Sequence, residues 1–172
     1  MPSKHSAAPR LPARSLYLLL SAAVLLADRL TKMLVESSFT LHEIRTVIPG
    51  FFQLVYVRNP GIAFSLLADS PSPLKTFVLV GLSLLALAAV AWLLWTADPA
   101  LHRLCTGLAL IMGGAMGNLL DRILDGSVVD FLDFFISTYH WPAFNVADSA
   151  IVAGGGLVLF HTTRYKKGGG RA

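Results

Sequence analysis

Apolar runs bounded by charge set the pattern of this chain. Residues 76–97 carry no charge and end near Trp92 and Trp95, and a bilayer core of about 30 Å is crossed by about 20 apolar helical residues. Residues 16–27 form a shorter run that continues through Asp28, Arg29, Thr31 and Lys32 to Val35, with its charges near the far end. The chain is uncharged again from Arg103 to Asp121 and from Asp148 to Arg164; both stretches are short, but polar groups at their ends can reach the interface. The pattern predicts membrane helices at about 15–35, 75–97, 103–121 and 147–164. Two longer connections remain, at about 36–74 and 122–146. In the first, Ile44 to Ile48 and Phe51 to Val57 are β-branched and aromatic and are split by Pro49-Gly50, which predicts a small β-hairpin or cradle. In the second, Phe131, Phe134, Phe135, Tyr139, Trp141 and Phe144 supply rings suited to an aromatic belt at the headgroup layer.

Composition agrees with this reading. Of 172 residues, 55% are hydrophobic and the mean hydropathy is +0.64, more apolar than a soluble domain of this size. The chain reads as an all-α polytopic membrane protein with one domain at 15–165, between cytoplasmic segments at 1–14 and 166–172. The net charge of +4 does not point to nucleic acid, because the basic residues gather at the two ends: Lys4, Arg10 and Arg14, then Arg164, Lys166, Lys167 and Arg171. Four spans with basic ends put both termini in the cytoplasm and make 36–74 and 122–146 the outer segments. The first span resembles a signal peptide, yet Ala27 is followed by Asp-Arg-Leu-Thr-Lys and not by a small-residue cleavage site, so a retained anchor fits better. Cys105, the single cysteine, has no disulfide partner within the chain and reads as a small buried hydrophobe.

Polar residues collect where the apolar runs stop. Gly113-Gly114-Ala-Met-Gly117 has the small-residue spacing of close helix packing, and steps of three and four residues put Gly114, Asn118, Asp121 and Arg122 broadly on one face. Asp28 and Lys32, four apart with the acid first, read as a structural pair bracing neighbouring helices. Asn59-Pro60-Gly61 reads as a turn able to aim Asn59 at a site. Asp148 alone would be a helix starter; Asp130, between Val129 and Phe131, sits where ionisation is resisted and needs a partner. Both ends of the loop joining Asp130 to Asp148 return to one side of the bilayer, so the two can form an aspartic dyad, in which close carboxyls share a proton and divide acid and base roles. Asp121 with Asp148 is the competing pair. No metal or other cofactor is required: His5, His42, His102, His140 and His161 are scattered, and no His-Glu-x-x-His or Gly-x-Ser-x-Gly occurs. A Ser-Lys mechanism is a weaker alternative. Two non-proteolytic readings remain, a transporter with Asp28, Lys32 and Asp121 on an ion path, and an assembly factor using the glycine faces.

Taken together, Asp28-x-x-Thr-Lys32, Asn59-x-Gly-x-Ala-Phe64, Gly113-Gly-Ala-x-Gly-Asn118-x-x-Asp121-Arg122, Val128-Val-Asp130-Phe131 and Phe144-Asn-x-Ala-Asp148 resemble, in that order, the lipoprotein signal peptidases (signal peptidase II) of bacterial cytoplasmic membranes. The resemblance implies four transmembrane helices, an outward-facing β-cradle with a short interfacial helix, and an aspartyl endopeptidase without cofactor. It also implies the substrate, a prolipoprotein cut just before a diacylglyceryl-bearing cysteine, a membrane-lipid setting, and inhibition by the cyclic peptide globomycin. By position it implies that Asp130 and Asp148 are catalytic, that Asn59, Gly114, Asn118, Asp121, Arg122, Asn145 and Ala147 support the site, and that Asp28 and Lys32 are structural.

Overall fold

The structure, a computed structural model, describes residues 13–61 and 73–168. Lys4, Arg10, Arg171 and the Ile-Ala-Phe end of the Asn59 motif lie outside the described residues, as do most of the two terminal segments. The elements are α1 (Ala13–Ser38), β1 (Ile44–Ile48), β2 (Phe52–Asn59), α2 (Pro73–Thr96), α3 (His102–Asp125), β3 (Val128–Ile136), β4 (Tyr139–His140) and α4 (Val146–Gly168). Among the described residues, no short helix separate from these four long ones occurs.

Three helices, Leu74–Thr96, His102–Asp125 and Val146–Arg164, are long and apolar enough to cross a membrane. They differ in burial: 61% of the apolar window of α3 is buried, against 11% in α2 and in α4. α3 is the central post, with α1, α2 and α4 packed around it. α1 is long enough but carries Asp28, Arg29 and Lys32, which lower its hydropathy. Asp28 and Lys32 point inward, at 1% and 0% exposure, while Leu16, Leu19, Leu26, Leu30 and Met33 face out at 50 to 60%. A helix with charge inside and leucine outside inverts the soluble pattern, as expected where lipid is the solvent.

Backbones approach closely along α3. A Cβ on Gly113 would fall 2.5 Å from the Ser21 carbonyl oxygen of α1, and one on Gly114 would collide with the Ala147 carbonyl of α4. Overpacking of this kind costs about 1–3 kcal/mol. Gly114→Ala should therefore lower the Tm in detergent and reduce activity, because it displaces the turn that begins α4. Gly155→Ala, where an added Cβ meets nothing within 4 Å, should change neither; equal losses in the two variants would refute the packing argument.

The segments between α1 and α2 and between α3 and α4 form one antiparallel sheet in the order β1-β2-β3-β4. β1 and β2 make the hairpin expected around Pro49-Gly50, with Gly50 at φ 76. The 122–146 segment differs from the expected aromatic belt. α3 stops at Gly126, whose φ of 69 and N–H to the Arg122 carbonyl form a left-handed cap, and the chain turns back as β3 to pair along β2, Phe52 opposite Phe134 and Val57 opposite Asp130. Successive residues of a strand face opposite ways, so the rings divide. Phe131 is buried with Val35, Tyr56 and Val129; Phe134 stacks between Phe52 and Phe144; Tyr139 and Trp141 remain exposed.

Candidate active site

Asp130 is delivered by β3 and is 3% exposed. Its Oδ1 accepts from Asn145 Nδ2 at 2.8 Å and its Oδ2 from Asn59 Nδ2 at 2.9 Å. Asn59 is the last residue of β2, and its own Oδ1 accepts from the Gly61 N–H at 2.9 Å, which turns the amide NH2 toward Asp130.

Asp148 lies in the first turn of α4, where Asn145 is the N-cap. The Asp148 N–H donates to Asn145 Oδ1 at 2.9 Å, and the Asn145 N–H donates back to Asp148 Oδ2 at 3.3 Å. This is a reciprocal capping box built from Asn and Asp. Asp148 Oδ1 accepts from Asn118 Nδ2 at 2.7 Å. Asn145, fully buried, thus touches both aspartates: the backbone and amide oxygen hold Asp148, and Nδ2 holds Asp130. Its Nδ2 also reaches the Val129 carbonyl at 3.1 Å and Asn118 Oδ1 at 3.2 Å, so two N–H bonds serve three acceptors.

An ion cluster underlies this network. Lys32 Nζ lies 2.7 Å from Asp28 Oδ2 and 2.7 Å from Asp121 Oδ2, and donates to Asn118 Oδ1 at 3.0 Å. Each carboxylate in turn holds backbone: Asp28 Oδ1 accepts the Ala147 N–H at 2.9 Å, and Asp121 Oδ2 the Val129 N–H at 3.3 Å. The residues just before Asp130 and Asp148 are therefore fixed to the same buried charges. Asp121 is held by Lys32 and by Arg29 at 3.5 Å. Arg122 is no ion partner of Asp121; neighbours one apart on a helix do not face each other. It donates to the Asn118 carbonyl at 3.3 Å, and its charge acts on Asp148, Asp130 and Asp121 in that order.

Burial drives the Asp130 carboxyl up from 3.8 to about 6; the Asp148 charge pushes the same way, and hydrogen bonds from Asn59 and Asn145 oppose it. One carboxyl displaced toward its neutral form, linked through shared amides to another, has the equipment of a general acid and base.

Sequence reasoning missed two polar groups on the sheet. Gln53 donates to Asp133 at 2.6 Å and His140 Nδ1 lies 2.9 Å from the same carboxyl, lining a cavity of about 470 Å3. Arg58 joins Glu36 and Asp125. Both depend on strand pairing that is remote in sequence, so no local spacing signals them. Among the described residues, no group of three or more His, Cys, Asp or Glu is placed to hold a metal ion.

Residues 20–164 match the family model of signal peptidase (SPase) II. The chain belongs to the signal peptidase II family. The lipoprotein signal peptidase of Solibacter usitatus is 45% identical over 147 residues, covering 86% of this chain and 90% of that protein. The lipoprotein signal peptidase of Desulforapulum autotrophicum is 48% identical over 144 residues, covering 83% and 88%. Two solved structures, each described as a bacterial membrane enzyme obtained by the in meso method, are similar throughout. The one at 1.9 Å resolution has a TM-score of 0.75 at 29% identity, covering 85% of this chain and 91% of its own; the one at 2.3 Å has 0.79 at 27%, covering 92% and 93%. Signal peptidase II enzymes are aspartic peptidases, and the apolar helices of this member make it a multi-pass bacterial membrane protein.

Proposed function

We propose that this chain removes the signal peptide from diacylglyceryl-modified prolipoproteins, cutting just before the lipidated cysteine, with Asp130 and Asp148 as the catalytic pair. The observation that carries this is Asn145, one buried side chain hydrogen-bonded to Asp130 and, through its cap, to Asp148. In this reading Asp130, raised to about 6, acts first as the acid and Asp148 as the base. Water adds to the scissile carbonyl carbon, giving one proton to Asp148, while Asp130 protonates the carbonyl oxygen. The resulting diol collapses as Asp148 passes its proton to the departing nitrogen and Asp130 recovers one from the diol hydroxyl, which restores both side chains.

Asn59, Asn118 and Asn145 orient the pair, Arg122 balances its charge, and Gly114 and Ala147 let α3 approach α4. Asp121, engaged by Lys32 and Arg29, serves with Asp28 and Lys32 as structure, which disfavours the Asp121–Asp148 pair. α1 acts as the fourth span. Its outward leucines and inward ion pair support this, as does its packing on α3. Both termini face the cytoplasm, where Arg14 and Arg164 lie, and the sheet and aspartates face outward.

The test is conversion of a diacylglyceryl prolipoprotein to its shorter form by the purified protein in detergent. The wild-type protein should process it, leave the unlipidated precursor uncut, and be blocked by globomycin; Asp148→Asn should be inactive although folded. Processing by folded Asp148→Asn would remove that residue from the pair. Cleavage of both precursors at equal rates would refute the lipid requirement.

A further inference from the structure

Arg58 stands beside Asn59 at the end of β2 and contacts neither aspartate. Its guanidinium engages three anchors. Nη2 donates to Glu36 near the end of α1 at 3.0 Å, Nη1 lies 3.6 Å from Asp125 at the end of α3, and Nε donates to the Tyr56 hydroxyl at 3.1 Å. A planar fork of donors can hold two carboxylates on separate helices in fixed directions from one rigid group. These groups are a fifth to a third exposed, where single ion pairs contribute little to stability. Their consequence is geometric. They tie the last turns of α1 and α3, the helices that carry the buried ion cluster, to the strand end from which Asn59 reaches Asp130.

We propose that Arg58 is a positioning residue for the peptidase reaction, holding the Asn59 amide on Asp130 by fastening the end of β2 to α1 and α3. The inference rests on the reading of Asp130 as catalytic. The groups acting on Asp130 are Asp148 and its cap Asn145 from α4, Lys32 from α1, Arg122 from α3 and Asn59 from β2. Of these, Asn59 alone is fixed at a strand end. Its hydrogen bond favours the ionised carboxylate, so an Asn59 that drifts leaves Asp130 titrating higher.

The experiment measures kcat, KM and the pH profile of prolipoprotein cleavage by purified Arg58→Gln and Glu36→Gln, alone and combined with Asn59→Ala. Displacement of a catalytic contact by a fraction of an ångström to one ångström lowers rates by about ten- to a hundredfold. Both single variants should lose kcat on that scale with KM little changed, and both should move the alkaline limb of the profile to higher pH. Direction separates positioning from bare charge: removing a cation raises a nearby carboxyl, whereas removing the Glu36 anion would lower it, so only a tether shifts both variants upward. Adding either substitution to Asn59→Ala should cost nothing further. Wild-type kcat and profile in Glu36→Gln, opposite shifts in the two variants, or losses that multiply with Asn59→Ala would each overturn the proposal. Should Arg58→Gln fail to fold, Glu36→Gln decides. Asp130→Asn is run alongside: its activity would overturn the catalytic reading, while its inactivity beside wild-type behaviour of the tether variants would overturn this inference alone.

Discussion

Lys32→Met should prevent the protein from accumulating in a folded, membrane-inserted form. Lys32 is completely buried and its Nζ lies 2.7 Å from each of two carboxylates that are themselves 1% exposed. Losing it leaves Asp28 and Asp121 as neighbouring buried anions, with Arg29, at 3.5 Å and 29% exposed, as the remaining ion partner of Asp121 among the described residues. Breaking a buried pair by removing one partner costs about 3–5 kcal/mol, against about 5–15 kcal/mol of stability for a whole domain. Here two anions are stranded, and the Ala147 and Val129 backbones they hold lose their anchors. The triple variant Asp28→Asn, Lys32→Met, Asp121→Asn removes all three charges and should recover much of the yield and Tm, because uncharged groups of similar size need no counter-ion. Thermal unfolding in detergent and the amount recovered from membranes measure both. A Lys32→Met protein with wild-type Tm would show that the cluster does not hold α1, α3, α4 and β3 together.

The sequence made this cluster only half legible. Asp28 and Lys32 announce themselves as an i, i+4 pair on one helix, a local relation that spacing reveals. That Asp121 completes the cluster depends on α1 packing against α3, which no spacing encodes; its sequence neighbour Arg122 donates instead to the Asn118 carbonyl. α2, α3 and α4 were legible because lipid imposes a long, uncharged run on such helices, and α1, the most polar of the four, is blurred where its charges turn inward. The β1–β2 hairpin was legible from Pro49-Gly50 between two β-rich runs. β3 was not: Val128–Ile136 lacks strict alternation, with acids at 130 and 133 among continuous apolar residues, and its partner strand lies far back in the chain. Asn145 illustrates the same limit at the site. Its place three residues before Asp148 is visible as a helix-start signal, yet its grip on Asp130 exists only after β3 and α4 come together. Family resemblance implied that Asn145 and Asp121 belong to the site, but not which groups they would touch.

Asp130→Asn should abolish cleavage at every pH and reverse its effect on stability between pH 4 and 7.5. In the folded chain the Asp130 carboxyl titrates near 6 instead of 3.8, burial being the main cause. A carboxyl whose folded value is raised binds its proton more tightly in the native state. That contribution is complete below pH 3.8 and is lost as pH rises through about 6. The displacement corresponds to about 3 kcal/mol, so above pH 6 the wild-type protein carries a buried anion beside Asp148 at a cost of that order. Asparagine avoids the charge but presents its own NH2 to one of the two donors, Asn59 or Asn145, that now face carboxylate oxygens. Such an unpaired buried donor costs about 1–3 kcal/mol. Asp130→Asn should accordingly unfold at a lower temperature than wild type at pH 4, where the native carboxyl is neutral and can itself donate, and at a higher temperature at pH 7.5, by about 1 kcal/mol once the two terms are set against each other. Activity of the wild-type protein should decline along the same curve, kcat/KM falling as pH rises through an apparent value near 6 that belongs to the aspartate pair. Parallel melting curves for the two proteins from pH 4 to 7.5 would mean that Asp130 titrates at its ordinary value, leaving nothing to mark it as the acid that starts the reaction.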